Sequence, residues 1–232
     1  MKNICFLILL STPLFAQKNL KLWYDKPANY FEETLVLGNG TQGATVFGGT
    51  KTEQIYLNDL TLWSGEPMNP RMNPEAYKHL PAVREALKAE NYRAADSLVK
   101  KIQGKFSESY APLGTLYLDF PDKNISQYYR ELDLDQATAK VQYRADGNLI
   151  KRAYFVSHPD KIFAIHLSSE QKGGLSFAIR MNSKLKFQVR STTNHLHMNG
   201  TAPVRADPNY VRKKDNPIVF QADKGTDRKS VV

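Results

Sequence analysis

The chain has 232 residues, 41% of them hydrophobic, which is long enough to bury a sizeable core without covalent help. Its 32 Lys and Arg outnumber 23 Asp and Glu for a formal charge of +9, yet the cations are spread along the chain without a block of five or six. Such dispersal excludes a nucleic-acid footprint, which gathers cations and aromatics on one face, and a lone cysteine excludes a disulfide framework.

In chain order, Met1 to Gln17 reads as a secretory leader. Lys2 precedes an apolar run from Ile4 to Leu10, and small Ala16 supplies the cleavage point, so residues 1–16 are expected to be a signal peptide. A membrane anchor needs about 20 apolar residues, and this run is too short. Cys5 lies at the start of the apolar run rather than just behind it, where a lipid-modified cysteine would stand. The expected location is therefore periplasmic or extracellular, with no membrane anchor. Export permits disulfides; a mature chain without cysteine must rely on its core.

The stretch from Leu35 to Gly65 is the densest in signals. Gly38, Gly40 and Gly43 spell G-x-G-x-x-G, with Asp59 near the position of a ribose-binding acid. A dinucleotide site needs a helix behind the glycines to aim free N–H groups at the pyrophosphate. Here Ala44-Thr45-Val46-Phe47-Gly48-Gly49 follows, which is strand-forming and ends in two glycines. The glycines are thus expected to form a turn between strands Leu35–Leu37 and Thr45–Phe47, with Gly38 or Gly40 supplying a positive φ. Gln54–Asn58 alternates as a half-buried strand, and Thr61–Trp63 as a second short one.

Pro67, Pro70 and Pro74 mark a loop over Met68–Asn73. Asn73 followed by Pro74 and Glu75 predicts a helix start, with Tyr77, Leu80, Val83, Ala86 and Leu87 on one face. A second helix from Tyr92 to Gln103 buries Ala95, Leu98, Val99 and Ile102, and Gly104 closes it. From Leu113 the hydrophobic period changes to two. Eight runs follow, Thr115–Phe120, Tyr128–Leu134, Ala139–Arg144, Leu149–Val156, Ile162–Leu167, Leu175–Met181, Leu185–Val189 and Thr193–Met198. Turn dipeptides punctuate them at Pro121-Asp122, Asp146-Gly147, Pro159-Asp160, Gly173-Gly174 and Asn199-Gly200. The expectation is a mainly β protein, a large β-sandwich over residues 20–226 with an inserted αα-hairpin at about 73–104. Asp227 to Val232 reads as a tail foreign to the native chain, because Asp-Arg-Lys-Ser-Val-Val matches the translation of a common sequencing-library adapter.

Several residue sets bear on chemistry. His195 and His197 share a strand face, but a tetrahedral metal site needs three or four ligands, so a polar strand face is expected and no metal or cofactor. Asp133 with Asp135, and Glu32 with Glu33, are sequence neighbours, whereas a glycosidase pair faces across a sugar. Ser64 lacks the G-x-S-x-G context of a nucleophile. Asn58, Trp63 and Tyr210 combine aromatic rings with an amide, the groups that stack on and hydrogen-bond to sugars. Core packing is the more common fate of a tryptophan such as Trp63.

The ordered motifs Leu22-Trp23-Tyr24-x-x-Pro27-Ala28, Leu35-x-Leu37-Gly38-Asn39-Gly40-x-x-Gly43-Ala44, Leu57-Asn58-x-x-Thr61-Leu62-Trp63-Ser64-Gly65, Tyr110-x-Pro112-Leu113-Gly114 and Ser157-His158-Pro159-Asp160 resemble one family. It is the N-terminal domain of glycoside hydrolase family 95, the exported bacterial α-L-fucosidases, and the resemblance covers about Leu20 to Thr226. It implies a β-sandwich preceding an (α/α)6 barrel that hydrolyses terminal α-L-fucose with inversion, with α-L-galactose as a variation. The acid and the water-activating residues would belong to the barrel, so the resemblance places no catalytic residue in this chain. Asn58, Trp63 and Tyr210 are the substrate-proximal candidates, and the segment Asn199–Tyr210 resembles a loop that approaches the barrel. Implied partners are fucosylated glycans, reached through the barrel, and the barrel itself as an intramolecular packing surface. The competing expectation is a self-contained sugar-binding or scaffolding sandwich.

Overall fold

A computed structural model describes residues 20–65, 71–104, 107–210, 215–221 and, as backbone only, 228–231. The leader expected over residues 1–16 and most of the proline loop lie outside the described residues. Strands β1 (Lys21–Tyr24), β2 (Leu35–Gly38), β3 (Gln42–Val46) and β4 (Thr52–Asp59) come first, followed by helices α1 (Leu80–Lys88) and α2 (Tyr92–Val99). Six strands follow: β5 (Gly114–Asp119), β6 (Ile125–Asp133), β7 (Thr138–Ala145), β8 (Asn148–Ser157), β9 (Ile162–Ser169) and β10 (Ala178–Asn182). The chain continues through β11 (Lys186–Ser191), β12 (Leu196–Thr201), β13 (Arg205–Ala206), β14 (Ile218–Val219) and β15 (Arg228–Val231).

Two five-stranded antiparallel sheets form the sandwich. Sheet I runs β1-β6-β7-β8-β9 and sheet II runs β10-β5-β4-β3-β2. Period-two alternation sends Leu35, Leu37, Ala44, Val46 and Ile55 of sheet II inward, against Leu132, Val141, Tyr143, Ile150 and Tyr154 of sheet I. Each fully buried Leu, Ile or Val contributes roughly 1.5–3 kcal/mol, and this cluster is the main source of stability. A third sheet, β11-β12-β15, and a two-residue ribbon, β13-β14, follow. Strand β15 falls in the tail read as foreign; backbone pairing with β12 depends little on side-chain identity.

The core also holds charge. Glu53 and Arg152 are both fully buried, with Arg152 Nη1 3.2 Å from Glu53 Oε2. The Glu53 carboxylate accepts from the Tyr154 hydroxyl and from the Gly48 amide, each at 2.8 Å. Arg152 itself lies near the rings of Phe120 and Tyr143, at 5.3 and 5.2 Å. A second buried arginine, Arg130, donates to the carbonyls of Lys26 and Glu33 at 2.7 Å and lies over the Tyr24 ring. It thereby ties the N-terminal segment to sheet I.

Several boundaries differ from the sequence expectation, each for a local reason. Asn73 does not cap α1. Its amide donates instead to the carbonyls of Lys101 and Gln103, closing the far end of the hairpin, while a 3-10 turn over Ala76–His79 leads into α1. Asn91 is the capping residue, accepting from the Ala94 amide at the start of α2. Helix α2 ends at Val99, and Tyr77 and Leu87 are exposed, so the hairpin buries chiefly Val83 and Ala95. Thr61–Trp63 is not a strand; Trp63 alone forms a bridge with Tyr110. Asn199-Gly200 is not a turn but the middle of β12, opposite Gln188 and Phe187, and the hairpin bend lies at Thr192–His195. Asp146-Gly147 does turn the chain, with φ of 49° and 83°.

Candidate functional site

Outward-facing residues of sheet II line a concavity of about 850 Å³. Strand register explains its floor: Val36, Thr45, Tyr56, Thr115 and Asn182 stand opposite one another in a single row across all five strands. The next row is Gly38, Gly43 and Asn58, where the missing side chains deepen the shelf beside an amide. Thus the glycines that mimicked a phosphate cradle form part of a surface. Gly40 has φ 88°, and the Asn39 carboxamide accepts from the amides of Thr41 and Gln42, which fixes the turn at one end.

Aromatic rings make the walls. Phe31 stacks on Tyr56 with centroids 6.1 Å apart. Trp63 meets Tyr110 edge to face at 6.2 Å, and its indole N–H donates to the Leu60 carbonyl at 2.9 Å. The Tyr110 hydroxyl donates to Asn58 Oδ1. Burial, with the Asp59 charge in addition, raises the Tyr110 pKa and keeps the phenol protonated as a donor. Trp63 is 44% exposed, so it packs in a wall and not in the core.

Two of the three candidate residues, Asn58 and Trp63, therefore line one concavity, linked through Tyr110. Tyr210 is exposed beyond β13 and is not among the lining residues. Phe31 and Tyr56 went unremarked in the sequence, and Tyr110 stood there only within a family motif, with no site role. For Tyr56 a signal existed, because inward Ile55 and Leu57 oblige Tyr56 and Asn58 to face out.

The other sets have structural roles. Asp133 accepts from the amides of Asp135 and Gln136 in the β6–β7 turn, and Glu33 accepts from the Asn29 amide. Ser64 bonds to Glu108 and accepts from the Ser109 amide. His195 and His197 stack with parallel rings 5.6 Å apart. Among the described residues no group of three or more His, Cys, Asp or Glu converges as a metal site would require.

The concavity offers rings, amides and hydroxyls, and among the described residues that line it those that titrate are tyrosines and Lys184. No described lining residue carries a carboxyl group, whereas glycoside hydrolysis places two on either side of a sugar. Fold and site thus define a β-sandwich domain with an aromatic, amide-lined concavity on one sheet. The chain belongs to the N-terminal domain family of glycosyl hydrolase family 65, whose profile matches residues 22–230. It is 30% identical over 221 residues to a protein named alpha-L-fucosidase 2 from Arabidopsis thaliana, covering 92% of this chain and 26% of that one. Against a probable alpha-fucosidase A from Aspergillus niger the identity is 32% over 172 residues, or 69% of this chain and 21% of the relative. The chain spans about a quarter of the length of these relatives.

Proposed function

We propose that this chain is the N-terminal sandwich of an exported family 95 α-L-fucosidase, which removes terminal α-L-fucose, or α-L-galactose, by inverting hydrolysis. Catalysis belongs to a barrel beyond the sandwich, and the chain alone is inert. Support comes from the names of two relatives and, above all, from a shelf rich in rings and amides without an acid pair. On this reading the shelf of sheet II is where the sandwich meets the barrel or the glycan it holds, with Asn58 and Trp63 closest. No described helix is long and apolar enough to cross a membrane.

The test compares this chain with the same reading frame carried through its native downstream sequence, on α-L-fucosyl oligosaccharides. The longer protein is expected to release fucose as the β-anomer first, followed by proton NMR, and this chain to release none. Release by this chain would overturn the division of labour; an inactive longer protein would overturn the fucosidase assignment. A self-contained sugar-binding module is the second reading, favoured by the aromatic rings and the Asn58 amide gathered in one shelf. It requires millimolar binding of fucosylated glycans by the isolated chain at Trp63.

A further inference from the structure

The outer face of sheet I carries a feature that the shelf does not involve. Trp23 of β1 is 62% exposed, and its ring lies 6.3 Å from that of Tyr129 with only 19° between the planes. Register puts both on this face, since Trp23 stands opposite Glu131, Glu131 opposite Lys140, and Tyr129 opposite Gln142. The aromatic pair is held from below: the Tyr129 hydroxyl donates to Glu131 Oε2 at 2.8 Å, and Lys21 Nζ reaches both carboxylate oxygens at 3.1 Å. Lys140 Nζ stands 3.6 Å from the same carboxylate, and Gln142 is exposed. Just before Tyr129 the pairing of β6 is interrupted by a bulge, where Gln127 takes φ 52°. Bulges re-aim side chains and are over-represented at sheet edges and next to active sites.

We infer that Trp23 and Tyr129 form a second, glycan-stacking platform on sheet I, with Lys140 and Gln142 as hydrogen-bonding rim. Size decides the class of ligand. A stable protein interface buries well over 1,000 Å² and has an apolar centre, whereas here two rings are set in a field of lysines, a glutamate and an amide. A pyranose offers the matching shape, one apolar face bordered by hydroxyls. Lys140 and Gln142 supply donors, and the Gln142 carbonyl an acceptor, at the border of the rings. Glu131 is already occupied by Tyr129 and Lys21, so the platform binds without acid–base chemistry. The ligand class rests on the chain being part of a glycan-processing protein.

The chain has only two tryptophans, one on each surface, and this makes the test specific. In Trp63→Phe, Trp23 is the sole tryptophan of the chain; in Trp23→Phe, Trp63 is, and red-edge excitation reads tryptophan without the tyrosines. Titration of Trp63→Phe with a fucosylated oligosaccharide, and separately with an unfucosylated one, is expected to change Trp23 emission at millimolar sugar. Gln142→Ala, made in Trp63→Phe, is expected to weaken the response about tenfold or less, with an unchanged far-UV circular dichroism spectrum. No emission change with either sugar overturns the platform, whatever the fucose-release assay shows. Loss of iodide access to Trp23 in the longer protein overturns it as well, because another part of the protein then covers the rings. A response in this chain, when the longer protein releases no fucose, keeps the platform and sinks only the fucosidase reading.

Discussion

Glu53 and Glu131 have almost the same set of partners and opposite acidities. Each accepts from a tyrosine hydroxyl at 2.8 Å, and each has a cation within 3.2 Å. Between the sheets, desolvation pushes the Glu53 carboxyl above the usual range, against the pull of Arg152 and of the Tyr154 and Gly48 hydrogen bonds. On the outside of sheet I, desolvation also works upward on Glu131, but the Tyr129 and Lys21 hydrogen bonds and the charges of Lys21 and Lys140 outweigh it, and the pKa is lowered. What separates the two is water: Arg152 is fully buried, while the Lys21 and Lys140 side chains are 33% and 44% exposed. Partner lists alone do not give the sign of a pKa shift; the cost of losing hydration does.

The largest effect is expected at Arg152. Arg152→Met leaves an unpaired carboxylate between the sheets and should destabilise by about 3–5 kcal/mol in chemical denaturation. Adding Glu53→Leu should recover most of that loss, because a buried pair replaced as a unit by apolar groups is often neutral. A double variant no better than the single would show that these side chains matter for shape and not for charge.

Gly48→Ala comes next, at roughly 1–3 kcal/mol. Gly48 has φ 77°, and an added methyl would collide with the Tyr128 hydroxyl, which donates to the Gly48 carbonyl at 2.7 Å. The same residue gives Glu53 one of its two backbone donors, the other being Gln54, so the variant probes the inner cluster without altering a charge.

On the outer face the expected loss is smaller. Glu131→Gln should cost at most about 1 kcal/mol at neutral pH, because its cationic partners Lys21 and Lys140 stand in solvent that screens the pairs. Its pKa is lowered in the folded protein, so the stabilisation is present above the ordinary carboxylate range and disappears as the pH falls through the lowered value. The parent and Glu131→Gln stability curves should therefore converge on acidification. For Glu53 the sign is reversed. Its raised pKa means that ionisation costs stability as the pH rises from the ordinary value towards the raised one. The smallest change is expected from Ala137→Gly in the β6–β7 turn, where φ is 48°: a gain below about 1 kcal/mol in thermal unfolding.

Much of the sandwich was legible in the sequence because half-buried strands alternate. Val141 and Tyr143 face in while Gln142 faces out, as period two requires. Turn residues were less dependable: Asp146-Gly147 bends the chain, yet Asn199-Gly200 runs straight through β12, since pairing with β11 overrides a local preference. Ribbon β13-β14 was missed, for two residues carry no period. At the site, Asn58 and Trp63 could be picked by residue type, but the shelf they share could not. It depends on Tyr110, far along the chain, and on register across five strands, neither of which leaves a local mark.

Trp63 and Tyr110 also mark a neck. The Ser64 amide donates to the Ser109 carbonyl, the Ser109 amide to Ser64 Oγ, and the Ala111 amide to the Leu62 carbonyl, so the chain leaves and rejoins sheet II at one place. Further out, Asn73 stitches the hairpin to the carbonyls of Lys101 and Gln103. An excursion closed this way is modular: lengthening, shortening or exchanging it leaves the register of both sheets untouched. The hairpin is thus free to diverge in sequence while the aromatic pair at its base stays fixed in the shelf.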